Sequence, residues 1–149
     1  MAEKYFNRKE AEELLPWIEH SLIEARESKE KVEDLDRELA RATTEIMVLG
    51  GSLPPYARLA ANRAERENRA TQLQAAINRI HETGCIVKDL DEGLVDFPTL
   101  RKGEEVYLCW KLGEERIGYW HSLEEGFAGR KPIDDTGPEQ PPTGPSRLQ

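Results

Sequence analysis

The feature that most constrains this chain is a helical repeat of apolar residues that runs unbroken for dozens of positions and then stops at a glycine- and proline-rich turn. Ala11, Leu14, Leu15, Ile18, Leu22, Ala25, Val32, Leu35, Leu39, Ala42, Ile46 and Leu49 recur mostly in steps of three and four. That spacing keeps them on one face of a helix. Asn7 with Glu10 three residues later has the form of a capping box, and Phe6 is placed to staple onto Ala11. The pattern predicts a helix over about 8–49, roughly 60 Å long at 1.5 Å per residue. Pro16 lacks an N–H and crowds the carbonyl of Glu12. Two forms stay open: one helix kinked at Pro16, or a short helix ending near Leu15 with a second beginning at Pro16.

Gly50-Gly51-Ser52-Leu53-Pro54-Pro55 ends the run, and a second helical pattern follows through Leu59, Ala60, Ala64, Ala70, Leu73, Ile77 and Ile80 to Gly84. A short turn between two long amphipathic helices makes them antiparallel neighbours. Charge agrees: residues 8–49 carry seven basic and twelve acidic side chains, residues 55–83 five basic and three acidic. A turn centred on Ser52 brings Arg63, Arg66 and Arg69 near Glu33, Asp34, Asp36 and Glu38. The expected product is an antiparallel coiled-coil hairpin over residues 1–83.

Residues 84–133 hold the glycines and aromatic residues of a small antiparallel β-sheet. Strand-like stretches are Cys85–Lys88, Leu94–Phe97, Glu105–Lys111 and Arg116–His121. If the last turn is symmetric about Gly113-Glu114, then Val106, Leu108, Trp110, Ile117, Tyr119 and His121 share one face. Tyr107, Cys109, Gly118 and Trp120 then share the other. One face is expected to pack on the N-terminal helix near Leu14, Leu15, Trp17 and Ile18. Residues 134–149 carry four prolines and one aliphatic side chain. They bury too little apolar area to offset their ordering entropy and are expected to be a disordered tail. The fold class expected is α+β, a long helical hairpin followed by a small antiparallel sheet packed on the N-terminal helix.

Composition excludes several classes. Hydrophobic residues make up 38% and charged residues 34%, with a net charge of −8. No run of eighteen apolar residues exists, so no membrane span is expected, and the N-terminus lacks the apolar core of a signal peptide. Two cysteines, Cys85 and Cys109, are too few for a disulfide framework, which fits a cytoplasmic protein. The acidic balance argues against nucleic acid, and Glu65 and Glu67 interrupt the arginines of the second helix.

Candidate chemistry gathers in two places. His121 with Glu124 offers nitrogen and carboxylate ligands for a divalent metal, and Asp96 and Cys109 are candidates to come near. The plain alternative is a strand-end histidine hydrogen-bonded to a loop carboxylate. A Cys109–His121 nucleophile pair is opposed by the expected faces, which set the two residues on opposite sides. Asp89, Asp91 and Glu92 read as turn chemistry. Arg130, after Gly126-Phe127-Ala128-Gly129, is expected to pair with Asp96 or Glu124 unless it binds an anion. Asp96, Trp110, Trp120, His121 and Arg130 are therefore the candidate ligand-binding residues. The second place is the hairpin tip, apolar where a solvated tip should be polar. Met47, Leu49, Leu53 and Tyr56 there are candidates for binding a protein partner or a second copy of the chain.

Several strings together carry a resemblance. They are Gly84-Cys85-Ile86-Val87-Lys88-Asp89, Gly93-Leu94-Val95-Asp96-Phe97-Pro98, Leu108-Cys109-Trp110, Tyr119-Trp120-His121 and Gly126-Phe127-Ala128-Gly129-Arg130. With Glu10-Ala11 and Leu14-Leu15-Pro16, the chain resembles a domain-of-unknown-function family of uncharacterised prokaryotic proteins over roughly residues 5–133. The resemblance implies the same hairpin and β segment and brings no activity, cofactor or catalytic residue. In layout the chain is also similar to the Gre-type transcript-cleavage factors, whose activity needs acidic residues at the hairpin tip. Here the tip offers Glu45 alone, followed by apolar residues. Two functional expectations follow. One is a non-catalytic interaction module using the tip or an aromatic sheet face of Trp110, Tyr119 and Trp120. The other is a small-ligand or divalent-metal protein, with hydrolytic chemistry open to it, around Asp96, His121, Glu124 and Arg130.

Overall fold

A computed structural model of the chain describes residues 2–49 and 56–133. The side chain of Leu49, all of Leu53 and the tail from residue 134 onward lie outside the described residues. The fold is α+β: two helices, α1 (Arg8–Leu49) and α2 (Tyr56–Glu82), precede five strands. The strands are β1 (Ile86–Asp89), β2 (Leu94–Arg101), β3 (Glu104–Lys111), β4 (Tyr119–Ser122) and β5 (Lys131–Pro132). Of the described residues, 2–22 with 77–133 make one compact unit and 23–49 with 56–76 make another.

The capping box forms as its spacing implies. The Asn7 N–H donates to Glu10 Oε1 at 3.0 Å, and the Glu10 N–H donates to Asn7 Oδ1 at 2.7 Å. Pro16 lies inside one continuous helix of 42 residues, so the two-helix alternative falls away. Its ring is on the exposed side, where water can serve the carbonyl that its missing N–H leaves free.

In the hairpin unit the two helices pack as antiparallel neighbours, with Val32, Leu35, Ala42, Leu59 and Ala76 buried. Arg66 reaches Asp36 with its Nε 2.8 Å from Oδ1, the cross-helix pairing that charge alone suggested. Arg69 instead pairs with Glu65 on its own helix.

The sheet unit is an antiparallel meander in the order β1-β2-β3-β4-β5. Its inner face carries Val95, Phe97, Leu108 and Trp110, packed against Phe6, Ala11, Leu15, Ile18, Leu22, Ile80 and Ile117. Trp17 turns outward, contrary to the expected packing, while Leu15 and Ile18 take the buried positions. The Phe6 ring meets Phe97 edge-on, with centroids 5.4 Å apart.

Two features of the meander escape the sequence pattern. β2 continues through Pro98 to Arg101 and turns back at Lys102-Gly103, both at positive φ (52° and 83°). That is the geometry of a two-residue hairpin of the primed type. Pro98 is tolerated because the Phe6 N–H donates to its carbonyl at 2.8 Å. The N–H and C=O of a strand residue point the same way, so the N–H missing at Pro98 faces the N-terminal segment and not β3.

The second feature is a correction. β3 and β4 pair Tyr107 with His121 and Cys109 with Tyr119, so the connection centres on Glu114 and not between Gly113 and Glu114. This one-residue difference moves every β4 side chain to the opposite face from the one expected. Ile117 lies in that connection, before β4 begins. It leaves the strand, sits fully buried in the core, and gives its N–H to Glu12 Oε2 at 2.9 Å.

Candidate functional site

Register places the site. Asp96 on β2 pairs with Cys109 on β3, which pairs with Tyr119 on β4, and His121 lies two residues further along that same face. Asp96, Cys109 and His121 therefore project from three adjacent strands on the side away from the core. All three are nonetheless only 1–2% exposed. They form the floor of a pocket of about 250 Å³ walled by Leu94, Leu123 and Phe127, with Lys88 and Asp89 at its rim. Lys88 sits at the irregularity where the β1–β2 register shifts, and its ammonium lies 4.8 Å from the Tyr107 ring centroid.

One ligating atom from each of Asp96, Cys109 and His121 lies within 4.8 Å of the others, the one such group among the described residues. His121 Nε2 is 3.1 Å from both Asp96 oxygens. Its Nδ1 is 2.8 Å from the Ser122 carbonyl. A carbonyl accepts only, so Nδ1 carries a hydrogen and donates it. The contact between Nε2 and the carboxyl is then a hydrogen bond that requires one further proton, on the imidazole or on the acid. The Tyr107 ring meets the imidazole edge-on at 5.5 Å and helps hold its plane.

Electrostatics follow from burial. Loss of hydration pushes the Asp96 carboxyl above its ordinary value, a rise that His121 opposes. Burial, with the Asp96 charge adding to it, raises the Cys109 thiol to about 11, against the pull of Arg130. Without a metal Cys109 is thus a thiol at neutral pH, the opposite of what a nucleophilic cysteine needs. The expected separation of Cys109 and His121 onto opposite faces is overturned by the register.

Other expected residues fall elsewhere. Trp110 is buried in the core on the inner face, its indole N–H donating to the Glu114 carbonyl at 2.9 Å. Trp120 pairs with Leu108 and so shares that inner face, flanked by the cations of Arg101 and Lys131. Tyr119 is on the outer face, so Trp110, Tyr119 and Trp120 do not make one aromatic surface. Arg130 pairs with Glu114 at 2.5 Å, replacing the expected Asp96 or Glu124. Its guanidinium stacks 3.8 Å from the Tyr119 centroid, and Nη1 lies 3.9 Å from Cys109 Sγ. Glu124 is exposed and outside the cluster; its neighbour Glu125 accepts the Ser122 N–H and pairs with Lys131. Lys131 and the Ser122 N–H hold the Glu125 carboxyl down at about 2.

Asp89 accepts the Glu92 N–H at 3.0 Å, as turn chemistry predicts. Cys85 is buried beside Thr83 and the Ile80 carbonyl, in a purely structural setting. At the hairpin end Met47, Val48 and Tyr56 are 77, 76 and 71% exposed. The pocket walls Leu94 and Leu123 and the rim Lys88 went unnoticed in the sequence, because no spacing rule marks a wall.

Fold and site together define a class: a helical-hairpin protein with a buried Asp–Cys–His set on the outer face of a β-meander. The chain belongs to the uncharacterised conserved protein family DUF2203, which it matches over residues 4–133. No curated protein and no solved structure matches it. No helix among the described residues is long and apolar enough to cross a membrane.

Proposed function

We propose that this protein binds a divalent transition metal, of the zinc type, through Asp96, Cys109 and His121. The observation that carries the reading is the convergence of one oxygen, one sulfur and one nitrogen donor within 4.8 Å at the floor of a pocket. Mixed thiolate, imidazole and carboxylate donors suit zinc better than magnesium or calcium, which prefer all-oxygen shells. The Nδ1–H···O contact to Ser122 supports it further. Metal-binding histidines commonly donate their second N–H to a carbonyl or carboxylate, which fixes the tautomer and aims the free lone pair at the ion. Here that lone pair is Nε2, which faces the carboxylate. Bonds of about 2.0–2.3 Å imply donors roughly 3.5 Å apart, so an ion would draw in the Cys109 sulfur while His121 Nε2 and the Asp96 carboxylate, now 3.1 Å apart, would spread slightly. A dipositive ion would balance one carboxylate and one thiolate and leave the buried site neutral, with two protons released, the one on Cys109 and the one between Nε2 and Asp96.

Zinc calorimetry on the purified, chelator-treated chain tests this. One zinc per chain is expected, with a raised unfolding temperature, and both effects are expected to vanish in Cys109→Ala and His121→Ala variants that keep the helical circular dichroism. Wild type without stoichiometric binding, or variants that bind as well as wild type, would refute the reading.

A second reading rests on the exposed Met47, Val48 and Tyr56. Such a patch on a hairpin end supports self-association or a protein partner. Light scattering of a Met47→Glu, Leu49→Glu, Leu53→Glu variant is expected to give a smaller assembly than wild type, and equal masses would remove self-association.

A further inference from the structure

The arrangement of the three donors bears on what the metal would do. All three rise from one face of one sheet, on neighbouring strands, so they occupy one side of the space around an ion. The opposite side opens into the pocket. No fourth histidine, cysteine or carboxylate joins the group among the described residues. The other carboxylate that lines the pocket, Asp89, is turned to its own loop and accepts the Glu92 N–H. Three protein ligands with an open position is the pattern of zinc sites that bind exchangeable water or substrate, and structural sites close all four.

The pocket also has a chemical character. Its walls, Leu94, Leu123 and Phe127, are apolar, and its rim carries the Lys88 ammonium. Arg130 is held by Glu114 and by stacking on Tyr119, so it braces Cys109 and is not available to an incoming group. With thiolate and carboxylate balancing the ion, an anion in the fourth position leaves one negative charge, and Lys88 is the cation placed to offset it. A pocket of about 250 Å³ falls below the roughly 300–1,000 Å³ typical of drug-sized ligands, which limits the occupant to a small molecule.

From this we infer that the metal keeps a fourth position open to the pocket, and that it takes a small anion with an apolar body, a short-chain carboxylate in the simplest case. This rests on the metal reading above. The carboxylate replaces water on the ion, the chain lies against Leu94, Leu123 and Phe127, and Lys88 supplies the counter-charge. No bond is made or broken in the ligand.

The test uses the full chain loaded with cobalt(II), whose visible bands report coordination and whose near-ultraviolet band reports the thiolate bond. Acetate and 4-methylpentanoate are titrated separately. Both are expected to shift the visible bands while the thiolate band persists, with 4-methylpentanoate on the order of tenfold tighter because its chain is buried. Lys88→Gln, at an exposed position, is expected to weaken both several-fold with the thiolate band unchanged. A thiolate band with visible bands indifferent to either anion would overturn the inference and leave the metal reading intact. So would anions that strip the cobalt, or an Asp89→Asn variant that first becomes anion-sensitive, which would mean that Asp89 closes the shell. Absence of any thiolate band would remove the metal reading, and this inference with it.

Discussion

The two faces of the meander come from the same three strands and have opposite chemistry. Inward, Val95, Phe97, Leu108 and Trp110 fill a close-packed core with the first turns of α1. Outward, Asp96, Cys109 and His121 are buried just as deeply, yet each is a group whose burial has a cost unless it finds a partner. Burial of the inner face is the ordinary consequence of alternation in a strand. Burial of the outer face needs a cover and a reason, and a shared proton or a metal ion supplies the reason. The lesson is that the face which resists simple packing rules is the one that carries chemistry.

That contrast predicts different responses to damage. The largest effect belongs to the inner face: Phe97→Ala should lower unfolding free energy by about 3–5 kcal/mol, through lost burial and the cavity left behind. Urea denaturation measures it, and a loss below about 1 kcal/mol would mean that the inner face is not the core. The next effect separates the faces by pH. His121→Ala leaves Asp96 buried without its partner, at a cost of about 3 kcal/mol near pH 7 in the metal-free protein. The folded carboxyl stays above its ordinary 3.8, so the folded state binds the proton more tightly than the unfolded chain. The variant's stability is therefore preserved below pH 4 and lost as pH rises through the raised value. A loss that does not vary between pH 4 and pH 7 would contradict the pairing. Phe97→Ala should show no such recovery.

A third effect concerns the thiol. Folding raises Cys109 from 9.0 to about 11, so above pH 9 the unfolded chain releases a proton that the folded chain keeps. Metal-free protein should lose about 2–3 kcal/mol between pH 9 and pH 11 from this group. Cys109→Ala should lack that part of the slope, while Cys85 contributes equally to both proteins. Parallel pH profiles would contradict a buried thiol at the pocket floor. The smallest effect lies on the hairpin stem, where Arg66→Gln removes an exposed pair with Asp36. Exposed pairs contribute little, so the unfolding midpoint should not move measurably. A clear shift would show that the stem's charges matter as much as the sheet's buried groups.

Much of the fold was legible because helices and their ends signal locally. The Asn7–Glu10 box, the long apolar repeat and the break at Gly50 are all contained within a few residues of where they act. Pro16 was ambiguous, since a proline within a helical pattern is compatible with a break or with continuation, and exposure of its ring settled it. The Lys102-Gly103 turn was invisible because lysine at positive φ carries no turn signature, whereas Gly93 is intelligible afterwards. At Gly93 a Cβ would stand 2.5 Å from Leu112 Cβ, with φ at +71°.

The site was legible in its members and not in its geometry. Asp96, Cys109 and His121 were all candidates from residue type alone. Whether they met depended on the parity of one connection, the one that contains Ile117. That isoleucine sits between Arg116 and Gly118 and reads as a strand residue, but the core claims its side chain and Glu12 its N–H. Glu12 lies more than a hundred residues away in sequence, beyond the reach of any local pattern. Trp110 was set beside His121 by the same slip that left Cys109 out, whereas Trp120 was set beside Cys109 and turns instead to the inner face.

The central claim is that the outer face is a three-donor metal site. X-ray absorption at the zinc edge of the loaded wild-type chain tests it most directly. One sulfur at about 2.3 Å and nitrogen or oxygen neighbours at about 2.0–2.2 Å are expected, with the sulfur lost in Cys109→Ala. A shell of oxygen and nitrogen alone in the wild type, or a sulfur that survives in Cys109→Ala, would contradict it.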